Sequence, residues 1–480
     1  MKKQYTLYLL PILVLFSACS QLQDKEKIVK QKEIEPYLNE QAFEKAAGLP
    51  SVQGDLEFWK AKLKSDPGNV SYQSKLGAAY SARFGITKNI NDLHRADSLY
   101  QRLLGQPAMD NENLLQALAQ LSVTKHDFPS AEKYSYAALK DGGDTRANNL
   151  LLFDALMERG EYTLAEKRLN RLDGDFSFGY YTRKSKFSDY KGRLDSAIYY
   201  MEEAAKKIDE RSSLSAWSKS NLGDMYGHAN RIEDSYEAYL EVLQKENSGG
   251  SYLHSLQGIA WIAYAHDENT KLAKKILQFV DSQIQSPDVK LTLAEIAEYE
   301  GNTQKKKEYL QAFVKEAQKP AYFGMYNAYL IDIAATELGK TDWAMELVEK
   351  ELDNRPTPQI YDLKAWTYLH QNKPEKALKV IQEHVAGKTY EPVPAWHMAR
   401  IYQANGMEEK AQEYYEEALA AGYELGPVTE AEIKKKMESW IGILSGVEMR
   451  IYTAGLEWFY LISGLIPRPF GSDRLQNKIR

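Results

Sequence analysis

A near-fixed step between alanines constrains this chain more than any motif it contains. Ala96, Ala131, Ala165, Ala197, Ser235, Ala273, Lys306, Ala344, Ala377 and Ala411 follow one another at steps of 32 to 38 residues. A period of this size predicts helix–turn–helix units stacked in a row. One such unit cannot bury its own apolar face, so neighbours must supply the core, and the stack presents an extended concave surface to partners. No alternating strand pattern competes with the helical one. The expected fold is therefore all-α, and the expected role is binding rather than catalysis.

The residues around each anchor explain the step. Residues at i, i+4 and i+7 share one face of a helix. A small residue lets two helices approach, and an aromatic residue beside it fills the remaining gap. The stretch before Gly422 has Met398, Ala399, Tyr402 and Gly406, then Ala411, Tyr415 and Ala418. Leu222, Gly223 and Tyr226 precede Ser235, Tyr239 and Val242 in the same way, as do Leu76, Gly77 and Tyr80 before Ala96, Tyr100 and Leu103. Gly160, Gly192, Gly301, Gly339 and Gly406 each stand five residues before an anchor. There the first helix must end, and glycine accepts the left-handed cap. The pattern weakens at Lys306, where a charge replaces alanine, and around Phe187, where the first helix is polar.

In these positions the chain resembles the tetratricopeptide repeat. The resemblance implies a right-handed superhelical solenoid with a helical C-terminal cap. It places about ten repeats over residues 69–422, after a leading partial repeat at 52–68 and a polar tether at 19–51. Compared with the family, the turn of the first repeat is seven residues longer, spanning Phe84 to Asn91. Residues 423–480 break the pattern and read as capping or docking helices. Thr429 and Glu432 form a capping-box signature there.

The N-terminus carries a separate signal. Lys2 and Lys3 precede a short apolar run from Leu7 to Phe16, too short to span a bilayer. Phe16-Ser17-Ala18-Cys19 follows, and Cys19 is the single cysteine of the chain. This stretch resembles the lipobox of bacterial lipoproteins, with Phe16 in place of the usual leucine. The resemblance implies a signal peptide over residues 1–18 and a triacylated Cys19. With Ser20 following, it implies a lipoprotein of the outer membrane, on its periplasmic face or at the cell surface.

Composition excludes some partners. The formal charge is −6 and no basic stripe is evident, which argues against nucleic acid. Catalytic and metal signatures are missing. Gly339-Lys340-Thr341 and Gly387-Lys388-Thr389 imitate the end of a phosphate loop, but Ala334 and Gln382 stand where its first glycine is needed. The eight histidines are scattered, with no cysteine pair or zinc-binding spacing. No cofactor and no enzymatic activity are expected. His228, His266 and His370 share a phase near the end of first helices, where the helix dipole favours a cation.

In the tetratricopeptide family the first helix of each repeat lines the groove. Carried onto this chain, that phase puts Trp217, Asp224, His228, Tyr326, Tyr329, Asp362, Trp366, Trp396 and Arg400 on the binding face. The positions where relatives hold a peptide carboxylate carry other residues here, so that mode is not expected. The chain is thus read as a lipid-anchored cell-envelope adaptor that binds a protein or peptide. The alternative is a glycan-binding outer-membrane lipoprotein with an aromatic groove. Trp366, Trp396 and Arg400 are expected to be exposed anchors in the free protein.

Overall fold

The computed structural model describes residues 27–107, 110–284 and 286–454, with side chains described through Ser439. Cys19 and the signal segment lie outside the described residues, as does the chain beyond 454. Among the described residues the structure is helical throughout, without strands.

Ten helix pairs run from Val70 to Ala420, one for each anchor in the sequence. The first is Val70–Thr87 with Ile90–Leu103, and the last is Pro392–Ala404 with Glu408–Ala420. Each anchor alanine is fully buried, at 0% exposure, and Ser235 is at 1%. The close approach is visible at the small residues of the first helices. A Cβ at Gly77 would lie 2.7 Å from the Tyr100 ring, and one at Gly223 would lie 2.5 Å from the Tyr239 ring. The second-helix aromatic thus sits directly on the small residue of its partner. Where serine replaces alanine, Ser235 Oγ donates to the Gly223 carbonyl at 2.7 Å, so the hydroxyl is satisfied inside the contact. Lys306 solves its position differently. It is half-buried, and its Nζ lies 2.8 Å from both Glu298 and Glu337.

The caps are more regular than the glycines alone suggest. The residue five before the anchor has positive φ in nine of the ten pairs: the five glycines, and also His126, Asn230, Glu268 and Asn372. The exception is the first pair. Its additional residues do not form a long turn, as the sequence suggested. They extend the first helix to Thr87, and the left-handed position moves to Lys88 (φ 55°). Adding residues in helical conformation keeps their backbone groups bonded, which a longer loop would not.

Another expectation also needs correction. The stretch read as a tether folds from Gln31 onward into short helices, Gln31–Ile34, Glu35–Tyr37 and Glu40–Ala47. Ile34 and Phe43 are buried at 0% and 2% exposure. The next helix, Leu49–Ser65, buries Leu56 and sets Trp59 against Tyr72 of the first pair, 5.9 Å between ring centroids.

The chain divides into two compact units. One gathers residues 27–107 with 176–182 and the described residues of 198–296. In it the N-terminal segment lies across distant repeats. Asp267 accepts the backbone N–H groups of Ile28 and Val29 at 3.1 and 2.8 Å. The Tyr252 hydroxyl donates to the Tyr37 carbonyl at 2.9 Å, and Ser248 N–H donates to the Ala46 carbonyl at 2.8 Å.

The other unit gathers 110–175, 183–197 and 297–454. It too joins distant stretches. Phe128 N–H donates to Asn354 Oδ1 at 3.1 Å, and Asn354 returns a bond to the His126 carbonyl at 2.8 Å. The last helix, Gly422–Ala454, is kinked at Gly426 (φ 82°), just before Pro427. Among the described residues no helix is long and apolar enough to cross a membrane.

Candidate functional site: a buried cluster on stacked first helices

Three consecutive first helices, Asn327–Thr336, Pro358–His370 and Pro392–Ala404, bring the predicted cluster together. The repeat step does this directly. Asp332, Trp366 and Arg400 follow at 34-residue spacing, as do Asp362 and Trp396. Residues one repeat apart on stacked helices become lateral neighbours. Trp366 and Trp396 lie 5.2 Å apart between ring centroids, and the Arg400 guanidinium lies 5.9 Å from the Trp366 ring.

Their environment differs from the expected one. Trp366 is not an exposed anchor; it is 2% exposed. Its indole N–H donates to Asp332 Oδ1 at 2.9 Å. One ring face stacks on His397 at 3.9 Å and 13°, and His370 packs edge-on at 4.4 Å. Asp362, expected on the groove rim, is likewise buried at 2% and joins Oδ2 to His397 Nδ1 at 2.7 Å. An indole ring of this size gains more from complete burial than from half exposure, and its one donor is satisfied by Asp332. Trp396 is half-buried, and Arg400, also half-buried, pairs with Glu432 of the last helix.

Two polar groups in the cluster are unmatched among the described residues: Asp362 Oδ1 and the Trp396 indole nitrogen are buried without a hydrogen-bond partner. A buried acceptor and a buried donor left open are costly to the fold. Burial raises the Asp332 carboxyl above the usual carboxylate range, against the lowering by His397 and by the Trp366 indole donor.

The other predicted residues are placed as follows. Trp217, Asp224 and His228 share the helix Ser213–His228 in the other unit. Trp217 is 39% exposed and packs against the Phe178 edge at 6.0 Å; His228 is exposed. Asp224 is half-buried and engaged, accepting from the Tyr239 hydroxyl at 2.5 Å and lying 2.8 Å from His254 Nε2. Tyr326 is not on a helix face. It precedes the helix Asn327–Thr336 and is buried against Phe313 at 5.7 Å. Tyr329 stays 53% exposed, with Phe313 at 6.2 Å. His370, noted for its phase, donates Nδ1–H to the Trp366 carbonyl at 3.0 Å and so caps the end of its helix.

Sequence reasoning missed His397 and Asp332. The signal for Asp332 was present, one repeat before Trp366 in the same phase. His397 carried no signal, because its role depends on the carboxylate and the ring it meets. The Asp362–His397 pair has the look of an acid–base dyad. Its histidine, however, has ring faces against Trp366 and Trp396, and among the described residues no hydroxyl or thiol is bonded to it. Among the described residues no group of three or more metal-ligating side chains is assembled.

Comparison with known proteins accords with this architecture. The family model for the tetratricopeptide repeat matches residues 395–421, the last helix pair. No curated protein matches the chain. Among solved structures, the crystal structure of the APC/C hetero-tetramer Cut9–Hcn1 is similar at 12% identity. That match covers 82% of this chain and 68% of that one, with a TM-score of 0.46. The human IFIT1 dimer with PPP-AAAA is similar at 13% identity, over 82% and 95% of the two chains, with a TM-score of 0.42. Yeast Tom70 is similar at 12% identity over 81% and 97%, with a TM-score of 0.34. With one repeat matched by the family model and nine preceding helix pairs built on the same anchor, the fold is that of a tetratricopeptide-type repeat array.

Proposed function

We propose that this protein is a lipid-anchored adaptor of the bacterial cell envelope, held at the outer membrane through Cys19, and that it binds a protein or peptide on its first-helix face. A tetratricopeptide-repeat solenoid is a protein-interaction scaffold, and its role here is non-enzymatic. The observation that carries the reading is the alignment of Asp332, Trp366 and Arg400 on consecutive first helices, with Trp396 and Arg400 left at the edge of the buried cluster. Trp366 and Asp362 act as the rigid floor, and Trp396 and Arg400 are the contact residues. Tryptophan and arginine at the rim of a packed cluster are the residue types that dominate interface energetics. A glycan platform would need Trp366 as an open ring face, and that face is covered by His397.

Lipidation at Cys19 would hold the fold close to the bilayer. Ile28, whose N–H is bonded to Asp267, stands nine positions after Cys19. That length spans at most ~30 Å.

The test is affinity capture from crosslinked envelopes with full-length protein, comparing wild type with Trp396→Ala and Arg400→Glu. Loss of the captured partner in both variants, each still folded at the assay temperature, is the expected result. Undiminished capture by both would remove this face from the binding site. Mass spectrometry of an unmodified Cys19 at the mature N-terminus would remove the anchor.

A further inference from the structure

A second concave site lies within the unit that holds residues 110–175, 183–197 and 297–454, and it shares the helix Pro358–His370 with the first-helix cluster. It is an open cleft of about 380 Å³. One wall comes from the turns between helices near Gly160 and Gly192. The other comes from the start of the helix Pro358–His370 and the loop after the helix Pro374–His384. The walls meet closely at the two turn glycines. A Cβ on Gly160 would lie 3.2 Å from the Pro356 carbonyl oxygen, and one on Gly192 would lie 2.6 Å from the Tyr390 ring. Both glycines also hold positive φ, at 74° and 68°, so a side chain is excluded twice over.

The lining is aromatic and rich in donors. Tyr162 and Tyr190 stack at 3.9 Å and 21°, and Tyr361 stacks on His384 at 3.9 Å and 8°. Tyr390 is 60% exposed. The four tyrosine hydroxyls have no hydrogen-bond partner among the described residues. Lys191 and Lys388 stand at the edge, and neither is in an ion pair among the described residues. Lys191 lies over the Phe187 and Tyr190 rings at 5.1 and 5.4 Å, and Lys388 donates to the Glu383 carbonyl. No carboxylate or carboxamide side chain lines the cleft.

This inventory selects the ligand. The tyrosine hydroxyls can donate or accept, so the two ammonium groups, which only donate, are what favour an anionic ligand. An acceptor-rich, anionic ligand matches the hydroxyls and the two ammonium groups. The stacked rings ask for a flat apolar portion. The volume is near the lower end for a ligand pocket, enough for one or two side chains rather than a large cofactor. Lys191 and Lys388 place two ammonium groups at the edge of the aromatic cleft, while Glu158 and Glu391 act on Tyr162 and Glu166 acts on Tyr190.

We propose that this cleft binds an acidic peptide segment, seating a tyrosine or proline ring among Tyr162, Tyr190, Tyr361 and Tyr390 while a neighbouring carboxylate meets Lys191 and Lys388. The proposal rests on the reading of this protein as a peptide-binding adaptor, and it adds a site separate from the first-helix face. Binding here would bridge two stretches of chain nearly 200 residues apart, so an occupied cleft would also tie those stretches together.

The test is calorimetric titration of full-length protein with acetyl-Glu-Pro-Tyr-Glu-amide. Saturable binding is expected. It should weaken about tenfold or more in Lys191→Glu and in Lys388→Glu, and also for acetyl-Gln-Pro-Tyr-Gln-amide. Both lysines are exposed, so melting temperatures should be unchanged. Equal affinity for the neutral peptide, insensitivity to both reversals, or no saturation at millimolar peptide would overturn the proposal. Equal affinity for benzoate alone would also overturn it, by reducing the cleft to a small-anion site. Partner capture by Trp396→Ala and Arg400→Glu is scored separately. Loss of capture there with no peptide binding here removes this cleft and leaves the adaptor reading standing.

Discussion

At the residue scale, position in the stack outweighs residue type. Trp366 and Trp396 stand on neighbouring first helices, yet one is floor and the other is rim. Trp366→Ala should therefore cost about 3–5 kcal/mol, as large aromatic truncations in cores do. Trp396→Ala should cost clearly less, and denaturant unfolding of the two variants checks the order. His254 gives a pH-dependent counterpart. Burial pushes its pKa down, but hydrogen bonding and attraction from Asp224 outweigh that and the repulsion from Lys88, leaving it above the ordinary value. A raised folded pKa means that the protonated pair contributes fully below about pH 6.5, the unfolded value. The contribution is lost as pH rises through the raised folded value. Replacing Asp224 with Asn should lower the His254 titration midpoint seen by NMR, and should narrow the stability difference between pH 5.5 and 8.5. An unchanged midpoint would mean that Asp224 does not set it.

At the element scale, the repeat is specified by two local devices, a small buried anchor and a left-handed cap five residues before it. Both were legible. The anchors stood out because only a small residue lets the helices close, and the glycines because few other residues accept positive φ without cost. The four caps that are not glycine were not legible, since the helix on either side imposes the conformation on whatever residue stands there. Glu268 is an exposed test of that cost and sits at φ 52°. Glu268→Gly should stabilise the protein by about 1 kcal/mol by removing the left-handed penalty, which exceeds the entropy that glycine loses. A rise in melting temperature checks it, and a fall would show that the Glu268 side chain contributes more than its backbone costs. The first helix pair shows the opposite limit. Its insertion was visible in the spacing, but whether it became turn or helix was decided by where the backbone hydrogen bonds could be kept.

At the scale of the whole molecule, contacts between distant stretches decide what the repeats alone leave open. Asp267 is the central clasp in the unit that contains the N-terminal segment. Its carboxylate holds two backbone N–H groups from residues 238 and 239 positions away and also meets His266 Nδ1 at 2.8 Å. Asp267→Ala would strand those donors, at about 1–3 kcal/mol for each buried group left unsatisfied. The segment from Ile28 to Ala47 should then exchange its amide hydrogens faster and become sensitive to protease, while the helix pairs keep their protection. Unchanged exchange would show that the apolar contacts of Ile34 and Phe43 suffice. From the sequence by itself came the all-helical class, the number of helix pairs, their anchors and the lateral alignment of Trp366 with Arg400. Each follows from periodicity, which is a local property. Only the tertiary structure decided that Trp366 and Asp362 are covered, that the supposed tether is folded against Asp267 and Tyr252, and that turns at Gly160 and Gly192 meet the chain at Pro356 and Tyr390. Periodicity tells which face of a helix a residue occupies. Whether that face is covered depends on which residues hundreds of positions away come to lie against it, and no local pattern encodes that.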